Sequence, residues 1–214
     1  MKIGILGTGA VGNTLASAFL TLGHEVKMGS RKAGNDKARA WLSSVNDPKA
    51  SEGSFANAVE FGEVIVFATL GAANADVVSA VGSDAFKGKL VIDSTNPLEF
   101  STGKPLLSVG HTDSGGEQLQ RALPSAHVVK AFNTVGNTHM FRPDFVGGPP
   151  SMFIAGDDDG AKQRVTELLR AFGWDVVDLG GIESSRYLEA ICMAWVVYGL
   201  RNKSWDHAFK LLRK

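Results

Sequence analysis

The sequence of 214 residues predicts an α/β protein built on a doubly wound parallel sheet. Two observations lead to this fold class. Apolar runs typical of buried strands alternate with amphipathic stretches typical of helices along most of the chain. The first apolar run, Lys2 to Leu6, leads directly into a glycine-rich turn that opens a helix. This order places helices on both faces of one parallel sheet.

The glycine-rich turn reads Gly7-Thr8-Gly9-Ala10-Val11-Gly12, which is the pattern G-x-G-x-x-G between a strand and a helix. Gly7 permits a tight turn, Gly9 lets backbone amides approach a pyrophosphate, and Gly12 allows the helix to pack close to the sheet. The helix N-terminus offers unpaired N–H groups to an anion. We therefore expect a Rossmann-type dinucleotide site that includes Thr8, Ala10 and Val11. The alternative is a glycine-rich turn that binds nothing.

The end of the second strand, Glu25 to Met28, indicates which dinucleotide is bound. It runs into Gly29-Ser30-Arg31-Lys32, with no acidic residue where NAD-binding proteins usually place one. A carboxylate would repel a 2′-phosphate, whereas a hydroxyl, a guanidinium and an ammonium would bind it. The sequence thus predicts NADP(H), with Ser30, Arg31 and Lys32 at the phosphate. A solvated basic loop is the alternative.

The following elements continue the alternation of strands and helices. Strands are expected at 63–68, 89–93 and 127–131, and helices at 35–44, 55–61, 75–81 and 117–122. Residues 50–52 are interpreted as a link. The Gly/Ser/Thr-rich segment 98–114 is interpreted as an ordered loop over the cleft.

We expect residues 1–148 to form the NADP-binding domain and residues 149–214 a small C-terminal α/β extension. The extension is predicted to pack on the first domain and to take part in a dimer contact. Its predicted strands span 151–155 and 174–179, and its predicted helices span 161–172 and 184–200. Asp157-Asp158-Asp159 and Ser184-Ser185 precede these two helices and are interpreted as caps.

Further candidate contacts follow the later strands, because ligands of open parallel sheets bind beyond the carboxyl ends of the strands, where the strand order reverses. These candidates are Thr69, Leu70, Asn96, Pro97, Ala131, Phe132 and Asn133. The first two are expected beside the ribose or pyrophosphate and the others near the nicotinamide. Asn133 could offer an amide donor and an acceptor to a ligand. Ordinary turn chemistry explains the same residue types.

No catalytic side chain and no metal site are predicted. The five histidines show no metal-binding spacing, although His111 and His139 lie in loops where they could touch a substrate. Reduction of a carbonyl or imine usually needs a proton donor, whereas hydride transfer to a flavin-like ring mainly needs two aligned rings. The sequence therefore favours a flat heterocyclic acceptor.

The composition limits the possible partners and compartments. Lys plus Arg and Asp plus Glu both number 22, and this balance argues against nucleic acids and anionic membranes as partners. No apolar run of membrane-spanning length and no basic-then-apolar leader are visible. The single cysteine, Cys192, excludes an intramolecular disulfide and is expected to be a small buried hydrophobic residue. We expect a cytoplasmic protein without a membrane partner.

The chain resembles the NADPH-dependent reductases of the deazaflavin coenzyme F420, over residues 1 to about 200. The matching segments are Gly7–Gly12, Gly23-His24-Glu25-Val26, Gly29-Ser30-Arg31, Val129–Thr134, Ala155–Asp158 and Ser185–Glu189. The resemblance implies a Rossmann domain with a small C-terminal part, a homodimer, and hydride exchange between NADP and a deazaflavin. It places the phosphates on Thr8 to Val11 and the 2′-phosphate on Ser30 and Arg31, with further contacts near Leu70, Asn96 and Ala131.

Residues 130–134, Lys-Ala-Phe-Asn-Thr, are also similar to the cytosolic domain of six-transmembrane metalloreductases, which passes hydride from NADPH to a flavin. The segment Thr69-Leu70-Gly71 lacks the proline–aromatic pair of the deazaflavin enzymes. The predicted acceptor is accordingly F420 or a flavin such as FMN or FAD. The alternatives are a non-catalytic NADP(H)-binding redox sensor and a reductase of a small carbonyl or imine.

Overall fold

The computed structural model describes residues 1–101 and 103–214 and contains a main sheet of eight strands. Ten strands are assigned: Lys2–Leu6 (β1), Glu25–Ser30 (β2), Ala50–Ser54 (β3), Val64–Phe67 (β4), Leu90–Asp93 (β5), Leu98–Glu99 (β6), Leu106–Leu107 (β7), His127–Lys130 (β8), Ser151–Gly156 (β9) and Asp175–Asp178 (β10). The α-helices are Ala10–Thr21 (α1), Asp36–Val45 (α2), Phe55–Phe61 (α3), Asn74–Val81 (α4), Gly115–Ala122 (α5), Asp159–Ala171 (α6) and Ser185–Asn202 (α7).

The main sheet has the strand order β10-β9-β8-β5-β4-β1-β2-β3. β1 pairs in parallel with β2 on one side and with β4 on the other, so the strand order reverses at β1. β9 runs antiparallel to β8, and β10 runs parallel to β9. The arrangement confirms the predicted doubly wound Rossmann-type sheet. The same sheet continues through β9 and β10, which lie within residues 149–214. The division of the chain into a domain and a C-terminal extension stays a prediction.

Helices cover both faces of the sheet, and alternate strand residues enter two separate cores. Ile3 and Ile5 of β1 pack into the core under α1, α2 and α6, whereas Leu6 enters the core under α3, α4 and α5. Val66 and Phe67 of β4 divide between the two cores in the same way. This double burial explains why the strands read as continuous apolar runs rather than as an alternation.

The structure corrects the sequence interpretation in two segments between elements. Residues 50–54 are not a link but the parallel edge strand β3, which pairs with β2. The segment 98–114, interpreted as a loop, contains the two-stranded antiparallel sheet of β6 and β7. Thr102 of that segment lies outside the described residues.

One of the two predicted helix caps is confirmed and the other is wrong. The Asp158 carboxylate accepts a hydrogen bond from the Ala161 amide (2.7 Å) at the start of α6. Ser184 occupies the N-cap position of α7, but its hydroxyl donates to the Leu179 carbonyl (2.7 Å) instead of accepting from α7. Ser185 is fully buried, and its hydroxyl has no hydrogen-bond partner among the described residues.

In the described ranges, the structure contains no helix of the length and apolar character that crossing a bilayer would require.

The aromatic ring of Phe172 lies in the core under α1, α2 and α6, and its removal should destabilise the protein. Phe172 is fully buried and contacts Phe19, Phe132 and Phe141 at ring-centroid distances of 5.0, 5.4 and 5.2 Å. Phe172→Ala is expected to lower the free energy of unfolding by about 3–5 kcal/mol in urea denaturation, because a cavity remains. Phe100→Ala, at a side chain that is 54% exposed, should change it by less than about 0.5 kcal/mol. Equal effects of the two variants would contradict this account of the core.

Candidate functional site

The glycine turn between β1 and α1 forms the floor of the candidate site. Gly7 has a φ of 129°, a conformation that favours glycine. A Cβ on Gly12 would collide with the Gly7 carbonyl, so Gly12 lets α1 approach the turn closely. A Cβ on Gly9 would meet no atom within 4 Å, because this position faces open space. These three environments match the roles that the sequence pattern assigns to the three glycines.

A cleft of about 920 Å³ lies above this turn, at the point where the strand order reverses. Nine of the predicted contacts line it: Gly7, Thr8, Gly9, Ala10, Val11, Ser30, Arg31, Thr69 and Leu70. Gly9 is the N-cap residue of α1, whose first turn carries no acidic side chain. The unpaired amides and positive end of this helix therefore remain available to an anion. The empty space beside Gly9 fits a pyrophosphate, which a larger side chain would displace.

Ser30 and Arg31 lie at the end of the cleft formed by β2. Arg31 is exposed and forms no ion pair with any residue that the structure describes. The Ser30 hydroxyl donates to the Lys32 carbonyl (2.6 Å), so it must reorient before it can donate to a phosphate. The Glu52 carboxylate of β3 accepts two contacts from the Gly34 amide (2.9 and 3.0 Å) and fixes the loop after Arg31. Lys32 is exposed and does not line the cleft, so its predicted contact lacks structural support.

The remaining predicted contacts lie beside the cleft rather than in its wall. Asn96 and Asn133, which follow β5 and β8, bind each other through two hydrogen bonds of 2.9 and 3.0 Å. Asn133 also donates to the Leu188 carbonyl of α7 (3.0 Å). Both N–H bonds of the Asn133 amide are thus used within the protein, so donation to a ligand, which stays a prediction, would require one of these hydrogen bonds to break. The Asn133 Oδ1 atom is buried and has no partner among the described residues, so only the acceptor is left.

Phe132 shapes this turn after β8. It is 1% exposed and has a φ of 63°, a left-handed conformation that is uncommon for a bulky residue. Its amide donates to the Met152 sulfur (3.1 Å), which lies on the antiparallel strand β9. Asn133, the residue after this left-handed position, donates to Leu188 of α7. Pro97 lies elsewhere, on a cavity of about 130 Å³ shared with Gly71 and Thr95.

The histidines named as possible substrate contacts are not in the cleft. His139 pairs with Asp206 (3.0 Å) and packs on Phe145. His111 has a left-handed backbone (φ 61°) and is exposed. Within the described residues, the lining of the cleft includes the carboxylate of Asp76 and the guanidinium of Arg31 but no histidine, lysine, tyrosine or cysteine.

A fully buried ion cluster lies directly below the ends of β5 and β8, and the sequence reasoning assigned it no role. The Lys130 ammonium contacts the Asp93 carboxylate (2.7 Å) and the Glu189 carboxylate of α7 (2.9 Å). Burial lowers the pKa of Lys130, but the two carboxylates raise it, and the net shift is upward. A signal was present in the sequence, because Asp93 and Lys130 each end an apolar strand and stand opposite each other in the parallel register.

Cys192 lies one helical turn after Glu189 on α7 and is 3% exposed, which confirms its predicted burial. Burial raises the pKa of its thiol to about 12, so the sulfur stays protonated at neutral pH.

Thr69 connects the cleft to the ion cluster through a chain of hydrogen bonds. The Thr69 hydroxyl donates to Asn74 (2.8 Å), Asn74 donates to Thr95 (2.8 Å), and Thr95 donates to Asp93 (2.7 Å). The direction is fixed because the Asp93 carboxylate can only accept. Thr69 therefore offers only its lone pairs to the cleft. This favours a ribose hydroxyl over a pyrophosphate oxygen as its neighbour.

The fold and the glycine turn define a Rossmann-type dinucleotide-binding protein, and comparison with known proteins specifies the family. The family model for NADP oxidoreductase, coenzyme F420-dependent, matches residues 2–97. A solved structure from Arthrobacter sp. FB24, provisionally described as an F420-dependent NADP-reductase, is 38% identical, covers 100% of both chains and superposes with a TM-score of 0.92. The chain belongs to the coenzyme F420-dependent NADP oxidoreductase family.

Two curated relatives differ in length. The F420-dependent NADP reductase of Methanothermobacter marburgensis is 29% identical, and the match covers 95% of this chain and 94% of that protein. Metalloreductase STEAP3 of Rattus norvegicus is 34% identical over 89% of this chain, which spans only 36% of that protein. The resemblances to both groups that the sequence motifs indicate are thereby confirmed.

The open space at Gly9 leads to a prediction that separates binding from folding. Gly9→Val should leave the thermal midpoint of unfolding nearly unchanged, because the added atoms meet no protein atom within 4 Å at Cβ and the backbone conformation (φ −82°) suits valine. NADPH affinity, measured by titration calorimetry, should fall by more than about 100-fold, since the side chain fills the space of the pyrophosphate. Gly110→Val, whose nearest neighbours lie at 4.0 Å and outside the cleft, is the control. Undiminished affinity in folded Gly9→Val would show that the turn does not hold the phosphates.

Proposed function

We propose that this protein transfers hydride between NADPH and a flat heterocyclic acceptor, either a deazaflavin such as F420 or a flavin such as FMN or FAD. The observation that carries the proposal is the lining of the cleft. It provides a phosphate-binding turn and a free guanidinium at one end, but no histidine, lysine, tyrosine or cysteine as a proton donor among the described residues. Hydride transfer between two stacked rings needs alignment more than proton transfer. The family of the chain and its archaeal relative, an F420-dependent NADP reductase, agree with this reaction class.

Different residues around the cleft bind different parts of NADP(H) in this proposal. We assign the pyrophosphate to the first-turn amides of α1, the 2′-phosphate to Ser30 and Arg31, and a ribose hydroxyl to Thr69. The strand ends that carry Ala131 and Asn133 are assigned to the nicotinamide end. The cofactor supplies or accepts the hydride, and water supplies the proton that a reduced deazaflavin or flavin requires. The protein's own contribution is to hold the ring in place and keep the cleft dry.

We also infer that the protein acts in the cytoplasm as a homodimer. Support for a dimer comes from large side chains on and after α7 that are 42–65% exposed, namely Tyr187, Val197, Tyr198, Leu200 and Trp205. Exposed apolar patches of this kind are typical of contact surfaces.

The preference for NADPH depends on Arg31 in this proposal. Arg31→Ala should weaken NADPH binding about 10- to 100-fold in titration calorimetry, because a charge-assisted contact to the 2′-phosphate is lost. NADH lacks this phosphate, so its affinity should change by less than about threefold. Arg39→Ala removes an exposed guanidinium of α2 that does not line the cleft and should leave both affinities unchanged. If Arg31→Ala weakened both nucleotides equally, the assignment of the 2′-phosphate would be wrong.

The acceptor is tested by following the absorbance of NADPH with a panel of F420, FMN, FAD, riboflavin, aldehydes and imines. Turnover is expected with F420 or a flavin and not with aldehydes or imines, because no histidine, lysine, tyrosine or cysteine lines the described cleft to donate a proton to those substrates. Gly9→Val serves as the control that separates catalysis in the cleft from reduction in solution. Turnover with an aldehyde or imine alone would overturn the proposal. NADPH binding without turnover on any member would instead support a redox sensor.

A further inference from the structure

The buried cluster of Asp93, Lys130 and Glu189 carries a net negative charge. Asp93 accepts from the Thr95 amide (3.0 Å), the Thr95 hydroxyl (2.7 Å) and Lys130 (2.7 Å). Glu189 accepts from Lys130 (2.9 Å) and from the Gly115 and Gly116 amides (3.1 Å each). Each of the four carboxylate oxygens has at least one donor as its partner. Two carboxylates with one ammonium give the cluster a formal charge of −1.

The surroundings of the cluster do not cancel this charge. Arg186 on α7 and Glu117 on α5 form the neighbouring ion pair, with Arg186 Nε donating to the Glu117 carboxylate (2.8 Å), and this pair is neutral as a whole. The N-terminus of α5 points its amides at Glu189 and contributes only a partial charge. The net charge of −1 is enclosed in protein, where water screens it little.

The cluster lies at the strand ends that are assigned to the nicotinamide, beside the wall of the cleft. Ser94, the residue after Asp93, lines the cleft, and Ala131 and Asn133 follow Lys130 in the adjacent strand exit. Thr69, also in the cleft wall, is joined to Asp93 by the hydrogen-bond chain through Asn74 and Thr95. The charge thus acts on this end of the cleft through protein rather than through solvent.

Stability alone does not explain such a cluster. A buried ion pair is often no more stable than apolar side chains of the same volume, because desolvation of the charges offsets their attraction. A net charge in the interior adds a further cost, which a neutral pair of one lysine and one carboxylate would avoid. Glu189 also joins α7 to the start of α5, but a neutral acceptor could accept from the α5 amides, so the charge of the second carboxylate calls for a function outside stability.

We propose that the cluster of Asp93, Lys130 and Glu189 favours the oxidised form of the bound cofactor and so promotes hydride donation by NADPH. Loss of hydride converts a neutral dihydronicotinamide into a ring with a charge of +1. A fixed negative charge near the ring stabilises that cation relative to the neutral form. Asp93 and Glu189 are positioning residues in this respect, since they act on the ring through the electric field without touching it. The inference rests on the proposed function because it requires the nicotinamide at this end of the cleft.

The experiment compares the dissociation constants of NADP⁺ and NADPH, each measured alone by titration calorimetry at one ionic strength. Glu189→Gln removes one unit of charge and keeps the size of the side chain. The ratio of the NADPH to the NADP⁺ dissociation constant should fall about tenfold, as expected for a unit charge acting over roughly two strand spacings at an effective dielectric constant of about 20. The loss should fall on NADP⁺, whereas NADPH binding should change little.

Two further variants make the result decisive. Glu117→Gln removes a carboxylate from the neighbouring ion pair, which shares no hydrogen bond with the cluster, and should leave the ratio within about twofold of the wild type. Asp93→Asn removes the same charge from the strand side and should act like Glu189→Gln, and it decides the question if Glu189→Gln does not fold. An equal loss of both affinities, or an unchanged ratio, would show that the cluster has only a structural role. Failure of the wild-type protein to bind either nucleotide would refute the proposed function together with this inference.

Discussion

The contact of Lys130 with Asp93 and Glu189 is the interaction on which the arrangement of the C-terminal half depends. It joins the two central strands β5 and β8 to α7, and through the Gly115 and Gly116 amides it also fixes the start of α5. Loss of Lys130 would leave two carboxylates without a cation in the interior, at a typical cost of about 3–5 kcal/mol. Loss of one carboxylate would leave a neutral pair, so Lys130 is the member on which the arrangement of these elements depends most.

A second polar layer lies above the first and joins the same three elements. Asn96 follows β5, Asn133 follows β8, and Leu188 precedes Glu189 on α7. Phe132, in its left-handed conformation, directly precedes Asn133, and the sheet then continues through the antiparallel strand β9. Strain at such a turn persists only where the surroundings determine it, and here Phe132 is held by the Phe172 ring and by its amide contact with Met152.

Local features of the sequence were sufficient to predict the fold and one end of the cleft. The spacing of the glycines predicts the turn because the turn needs their backbone conformation and lets the helix lie close to it. The continuous apolar runs predict the strands because these strands are buried on both faces of the sheet. Strand β3 was missed because Ala-Ser-Glu-Gly-Ser has no apolar run, and its pairing with β2 alone makes it a strand. The Asn133 amide donates to Asn96, 37 residues earlier in the chain, and to Leu188, 55 residues later, and no local pattern could indicate these contacts. The contact by which Glu52 fixes the loop after Arg31 could not be predicted either, because Glu52 lies on β3 and the sequence did not indicate that strand.

The two ends of the cleft are assigned to cofactor groups of different charge, and different kinds of protein group lie at each end. NADP(H) carries its negative phosphates on the adenosine side of the molecule. Its nicotinamide ring lies at the other end and is positively charged when oxidised. Phosphates are strongly hydrated, so helix amides and an exposed guanidinium suit them, since the helix end offers aligned donors and a guanidinium is more weakly hydrated than an ammonium. The ring changes charge during hydride transfer, so a fixed field that cannot relax suits it better than a flexible side chain at the surface. A buried cluster braced by backbone amides and a directed hydrogen-bond chain provides such a field, and this requirement explains why the charges lie beneath the strand ends rather than in the cleft.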